Sequence, residues 1–158
     1  MARRTTILGL AKLERKLKRL PKVAEAEIRA AMEAVADEIV RLARSLAPED
    51  DGALRASIGW TWGAPPRGSI TLGKVARSSL GKGLTITVYA GNSEAFYARW
   101  VEFGTAPHVI GGLFAGSQHP GTRAQPFFYP AFRVNRRAAK AAIRKANRSA
   151  ARKVARGG

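Results

Sequence analysis

The residues best equipped for chemistry in this chain are two histidines, His108 and His119, and the glutamate Glu102 set between Val101 and Phe103. Two imidazoles and a carboxylate can bind zinc, but zinc ligands usually come at short, regular spacings on one helix or strand. His108 and His119 instead stand far apart in a glycine-containing stretch, so neither a metal nor any other cofactor is expected. Glu49, Asp50 and Asp51 form a second acidic group beside Gly52. Metal-assisted phosphodiester cleavage needs convergent carboxylates, and the middle of the chain adds only Glu94 and Glu102. Turn and capping chemistry suits an aspartate before glycine better, with Asp50 or Asp51 capping a short segment over residues 53–57. There is no cysteine, and neither histidine stands near a serine and an acid in a known catalytic pattern. Gly81-Lys82-Gly83 lacks the strand, the helix and the following Ser or Thr of a phosphate loop. The expectation is a protein that is not an enzyme.

Glu102 gains another meaning from its surroundings. It lies in Tyr97-Ala98-Arg99-Trp100-Val101-Glu102-Phe103-Gly104-Thr105, and a second aromatic run follows at Gln125-Pro126-Phe127-Phe128-Tyr129-Pro130-Ala131-Phe132. A buried acid must be paired or hydrogen-bonded, so Glu102 is expected either to pair with an arginine or to cap backbone amides. Gly104 is expected to turn the chain where a side chain would be strained. Pro126 and Phe127 are expected to anchor the helix that follows.

The elements that must position these residues can be read from periodicity. Ile7, Leu10, Leu13, Leu17 and Leu20 mark one helical face, and Pro21 interrupts it. Ile28, Met32, Val35, Ile39, Leu42 and Leu46 then recur at steps of four and three, predicting a second helix of about 25 residues, roughly 38 Å long. That stripe can pack on a sheet within the chain or on a helix of another subunit; the first use is preferred. Ile58, Trp60 and Trp62 alternate as a strand with both indoles on one face. Ile70-Thr71-Leu72 and Leu84 to Tyr89 are strand-like, and Gly73 to Gly83 between them is read as a turn region ending in a hairpin tip. Ser93 is placed as the cap of a short helix over residues 94–100, with Phe96 or Tyr97 facing inward beside Trp100. Val101-Glu102-Phe103 is read as a brief strand. Phe128, Phe132, Ala139, Ile143, Ala146 and Ala150 mark one face of a last helix.

These elements make an α+β fold: a small antiparallel β-sheet packed with a long N-terminal helix, preceded by a shorter one, and with a C-terminal helix. One domain is expected over residues 1–150, helical at 1–46, mainly β at 57–105, a long loop at 106–125 and helical at 126–150. Residues 151–158 are expected as a basic flexible tail. No apolar run approaches the roughly 18 residues of a spanning helix, and the charged first twenty residues do not read as a secretion leader. A soluble protein without a membrane partner is expected.

Charge is concentrated at the ends. The net charge is +17, yet residues 49–132 hold 7 bases against 5 acids, whereas residues 133–158 hold 10 bases and no acid. Basic arms on a nearly neutral body point to a polyanion or an acidic surface nearby. Arg136, Arg137, Lys140, Arg144, Lys145 and Arg148 are the candidate contacts.

Three blocks in order carry a resemblance to a known family. The first is Asp50-Asp51-Gly52-Ala53-Leu54-Arg55-Ala56-Ser57 after the N-terminal helices. The second is Tyr97-Ala98 followed by Val101-Glu102-Phe103-Gly104-Thr105, and the third is Gln125-Pro126-Phe127 with Pro130-Ala131. The chain resembles the small neck, head–tail joining or tail-completion proteins of long-tailed lambda-like phages, of the tenth-gene-product type in the HK series. The family more often has Asp-Thr-Gly where this chain has Asp50-Asp51-Gly52. By that resemblance Asp51, Gly52, Leu54, Arg55, Ser57, Tyr97, Glu102, Phe103, Gly104, Thr105, Pro126, Phe127 and Pro130 are signature positions with folding roles.

The resemblance implies a structural virion protein of the phage neck, present in the host cytoplasm before assembly. It implies self-association as a ring around the DNA channel, a hexamer being one form, and contacts with head-side adaptor or head-closure proteins and with tail-terminator or tail-tube proteins. Partner surfaces are expected on the long helix, residues 63–83 and residues 106–125. The other reading of the basic ends is a non-specific nucleic-acid-binding module.

Overall fold

A computed structural model describes residues 10–50, 52–77 and 85–156 of the chain. Helix α1 spans Leu10–Leu46 and α2 spans Ala53–Ser57. Strands β1 (Gly59–Trp62), β2 (Ile70–Arg77) and β3 (Thr85–Ala90) follow, then α3 (Ala98–Phe103). Two short strands, β4 (His108–Val109) and β5 (Gln118–His119), precede the long helix α4 (Phe128–Arg156). The α+β architecture expected from periodicity is the one observed.

Two long helices back a small sheet. The sheet is antiparallel in the order β1-β3-β2. Trp60 pairs with Val88 and Trp62 with Ile86, which puts the indoles on the face that buries Ile86, Val88 and Ala90. Each indole also donates to α1: Trp60 Nε1 to Asp37 at 2.7 Å and Trp62 Nε1 to Glu33 at 3.2 Å. Those acids stand four apart, so one helical face holds both rings. Arg44, further along α1, forks Nε and Nη2 onto the Ile58 carbonyl just before β1.

The stripe on α1 is used within the chain. Ile28, Met32 and Ile39 are buried, Val35 and Leu42 are half-buried, and Leu46 at the end is exposed. Alanines complete the buried face: Ala24, Ala36 and Ala43 on α1, and Ala131, Ala139, Ala146 and Ala150 on α4. Small side chains let two helix backbones approach closely over many residues. The helices are antiparallel. Lys153 near the end of α4 reaches Glu27 at 3.4 Å, whereas Gln125 before its start lines a cleft with Pro48 beyond α1.

Several sequence expectations need correction. The two N-terminal helices are one, because α1 continues through Pro21. Proline removes one backbone bond and crowds the preceding turn, but the Leu, Lys, Arg, Ala and Glu on both sides are strong helix formers that carry the helix across it. Strand β2 runs on to Arg77 through register shifts, so Gly73 to Arg77 is strand rather than turn. The expected hairpin tip at Gly81-Lys82-Gly83 lies outside the described residues. The residue before α2 is Gly52 itself, at φ 81° and without a side-chain cap bond, and Asp51 lies outside the described residues.

Val101 to Phe103 is the last turn of α3, not a strand. Three residues cannot display a period, and the deciding pairs are Tyr97 with Val101 and Ala98 with Glu102, each four apart and facing inward. Asn92, not Ser93, makes the turn before α3: its Oδ1 accepts from the Glu94 and Ala95 amides at 2.9 and 2.7 Å. The stretch expected as a long loop contains the β4–β5 ribbon, in which His108 pairs with His119. Helix α4 does not fray at residue 150 but continues to Arg156, because Ala150 and Val154, four apart, are both buried.

Candidate functional site

The three signature blocks meet at one joint. Asp50, Gly52 and Leu54 from the first, Tyr97 and Val101 from the second, and Gln125 from the third line a cleft of about 290 Å³ with Pro48. Ser57 ties the first block to the sheet: its Oγ donates to Leu54 O at 2.7 Å and accepts from the buried Gly91 amide at 3.0 Å. Arg55 donates through Nη1 to Glu49 at 2.8 Å.

Glu102 is the centre of the joint, 3% exposed. Its Oε2 accepts from the amides of Phe127 and Phe128, and Oε1 accepts from Tyr129, all at 2.9 Å. Of the two partners expected for this acid, the structure shows the backbone amides. They are the first donors of α4, which have no partner inside the helix. The next residue, Pro130, has no amide hydrogen. One carboxylate and one proline therefore account for every donor over residues 127–130, and the negative charge lies at the positive end of the helix dipole. Phe127 and Phe128 are wholly buried and fix the same end by packing.

The chain must pass very close to itself to bring these groups together. Gly104 has φ 69°, and a Cβ there would stand 2.5 Å from Thr122 O and 2.8 Å from Ala124 N. Gly121 faces it from the other side at φ 85°, where a Cβ would meet the Thr105 carbonyl. Thr105 and Thr122 exchange backbone bonds at 3.0 and 3.1 Å, and Gln125 N donates to Val101 O at 2.8 Å. The residues between, 106–121, form an arm whose strands stack His108 on His119, centroids 4.9 Å apart. Among the described residues no three His, Asp or Glu side chains gather as a metal set, and no helix is long and apolar enough to cross a membrane.

Two surfaces stand out on this frame. Of the two rings offered for the inward place beside Trp100, Tyr97 packs on the core and Phe96 does not; Phe96, Trp100 and Phe103 are 61%, 51% and 55% exposed. Trp100 and Phe103 lie three apart on the face of α3 opposite Ala98 and Glu102, which take the inward places, and Phe96 stands in the turn before the helix. Phe96 meets Trp100 edge to face at 5.5 Å, and Phe103 leans on Tyr129 at 5.7 Å. The second surface is α4, where Arg136, Arg137, Lys140, Arg144, Lys145 and Arg148 are all exposed, as are Arg133, Arg152, Lys153 and Arg156. Sequence reasoning passed over those last four; the buried Ala146, Ala150 and Val154, spaced four apart, were the available sign that the helix continues.

One of three comparisons with known proteins gives a match. The profile of a family described as bacteriophage HK97 gp10, a tail component, matches residues 11–104, more than half of the chain. The chain belongs to the HK97-gp10-like family. It is accordingly a phage tail component, a structural protein that works in contact with other phage structural proteins. The matched span holds the first block and the second as far as Gly104. The acceptor of the α4 cap thus lies within the family span, and its donors lie beyond. No curated protein and no solved structure matches the chain.

Proposed function

We propose that this HK97-gp10-like protein belongs to the phage neck, where it assembles as a ring around the DNA channel and completes the connection between head and tail. It has no catalytic task in this reading; its work is to present surfaces. The observation that carries the reading beyond family membership is the α3 patch. Three aromatic rings close in sequence, each more than half exposed, support a surface for a protein partner. Aromatic anchors of this kind supply most of the energy at interfaces. The patch lies on the element whose Glu102 caps α4, so a partner seated there also bears on the helix that carries the basic residues.

Head-side adaptor or head-closure proteins on one side and tail-terminator or tail-tube proteins on the other are the neighbours this position requires. Trp100→Glu puts a charge into the middle of the patch while leaving the buried face of α3 alone. Its melting temperature is expected to stay within a few degrees of the parent, since changes at exposed positions usually stay within about 0.5 kcal/mol. A phage carrying it is expected to accumulate filled heads and free tails, with joined particles reduced at least tenfold. Normal yields of joined particles would refute the assignment of this patch.

A further inference from the structure

We infer that the outer face of α4 is a binding surface for the phosphate backbone of duplex DNA, without base reading. Arg133, Arg137, Lys140, Arg144, Arg148 and Arg152 follow one another at steps of four or three, directly opposite the buried Ala139, Ala146 and Ala150. At 1.5 Å per residue this stripe is roughly 29 Å long. Towards its end Lys145, Arg148, Arg152, Lys153 and Arg156 line a concave surface of about 670 Å³ with Ser149. No acid occurs after Glu102, so α4 cannot pair its cations along its own length. Among the described residues only Lys153 of these cations faces a carboxylate, that of Glu27. Like charges four apart on a helix repel, and a bound polyanion removes that repulsion.

The chemistry of the stripe selects DNA over an acidic protein. Protein interfaces are centred on buried aromatic or aliphatic anchors, whereas the residues between these cations are mostly alanine, with Asn135, Asn147 and Ser149, and Val134 beside Arg133 is the exposed large apolar side chain among them. Small neighbours let a flat charged backbone come close but give a protein little to pack against. Seven of the ten cations are arginine, whose fork grips phosphate oxygens in pairs. The stripe is also held in shape beforehand: the Glu102 cap fixes its start, and the burial of Ala150 and Val154 holds its far end. Little ordering entropy is then lost on binding. That a genome passes this face rests on the neck position proposed above; the binding itself does not.

The test uses the full chain and duplexes of about 30 base pairs with two unrelated sequences, titrated by fluorescence anisotropy across a salt series. Equal affinity for both sequences is expected, falling steeply with salt. The triple variant Lys140→Gln, Arg144→Gln, Arg148→Gln is expected to bind at least tenfold more weakly at about 0.1 M salt. Its log–log salt slope should be shallower by about 2.7, near 0.9 for each lost phosphate contact. The control triple Arg67→Gln, Arg99→Gln, Arg123→Gln removes the same charge from exposed sites elsewhere and is expected to leave the slope unchanged. As a check independent of variants, duplex DNA should slow chemical methylation of Lys140 and Lys145 in the parent protein. Equal loss in both triples, tighter binding of polyglutamate than of DNA, or unprotected lysines would each overturn the assignment. A DNA-binding protein absent from the head–tail junction would refute the neck position instead.

Discussion

Glu102→Ala is expected to cost about 3 kcal/mol of stability, with the melting temperature falling by about 6–12 °C for a chain of this length. The amides of Phe127, Phe128 and Tyr129 converge on one carboxylate, in a place closed by two buried phenylalanines. Truncation leaves those donors without an acceptor and without water to replace it, so the loss exceeds the roughly 1 kcal/mol of an ordinary exposed cap. Glu102→Gln keeps one oxygen, which can serve Phe127 and Phe128, but turns an amide group toward Tyr129 N–H. An intermediate loss is expected, and denaturant titration with an unchanged slope checks both variants. The same variants should weaken joined-particle formation, because the start of α4 then frays beside the aromatic patch. A parental midpoint for the alanine variant would remove Glu102 from its place as the joint.

Gly104→Ala is the second large effect, expected to cost about 3 kcal/mol or more. Two independent terms add. A positive φ of 69° disfavours any side chain, and the new methyl would press on Thr122 O and Ala124 N, which are backbone atoms and cannot rotate away. Relief would require the arm to move off α3, breaking the Thr105–Thr122 exchange. Gly52→Ala provides the contrast. It shares a positive φ but nothing lies within 4 Å of its Cβ position, so only the conformational strain remains and about 1 kcal/mol is expected. Thermal melts of the two variants, compared directly, separate close approach from backbone strain.

The parts of this fold legible in the sequence are those with a repeated period. The faces of α1 and α4 and the alternation of Ile58, Trp60 and Trp62 follow from spacing alone, and the α+β class follows from them. What escaped was decided by contacts distant in the chain. Val101 to Phe103 looks like a strand until Tyr97 and Ala98 are known to face inward with Val101 and Glu102. Glu102 could be recognised as needing partners, but its donors lie some 25 residues onward, and only the fold chooses amides over an arginine. Pro21 signals a helix end by a local rule that α1 overrides. The aromatic patch was missed because large rings were assigned to the core. Burial in fact went to Ala95 and Ala98, which fit where the chain is crowded, and left Phe96 and Trp100 outside. Period alone does not announce which rings stay outside.

The neck assignment is tested most directly by imaging assembled particles in which this protein carries a compact label. The account predicts one ring of label at the head–tail junction, encircling the channel, and no label elsewhere on the particle. Label spread along the tail tube, gathered at the distal tip, or missing from purified particles would contradict it.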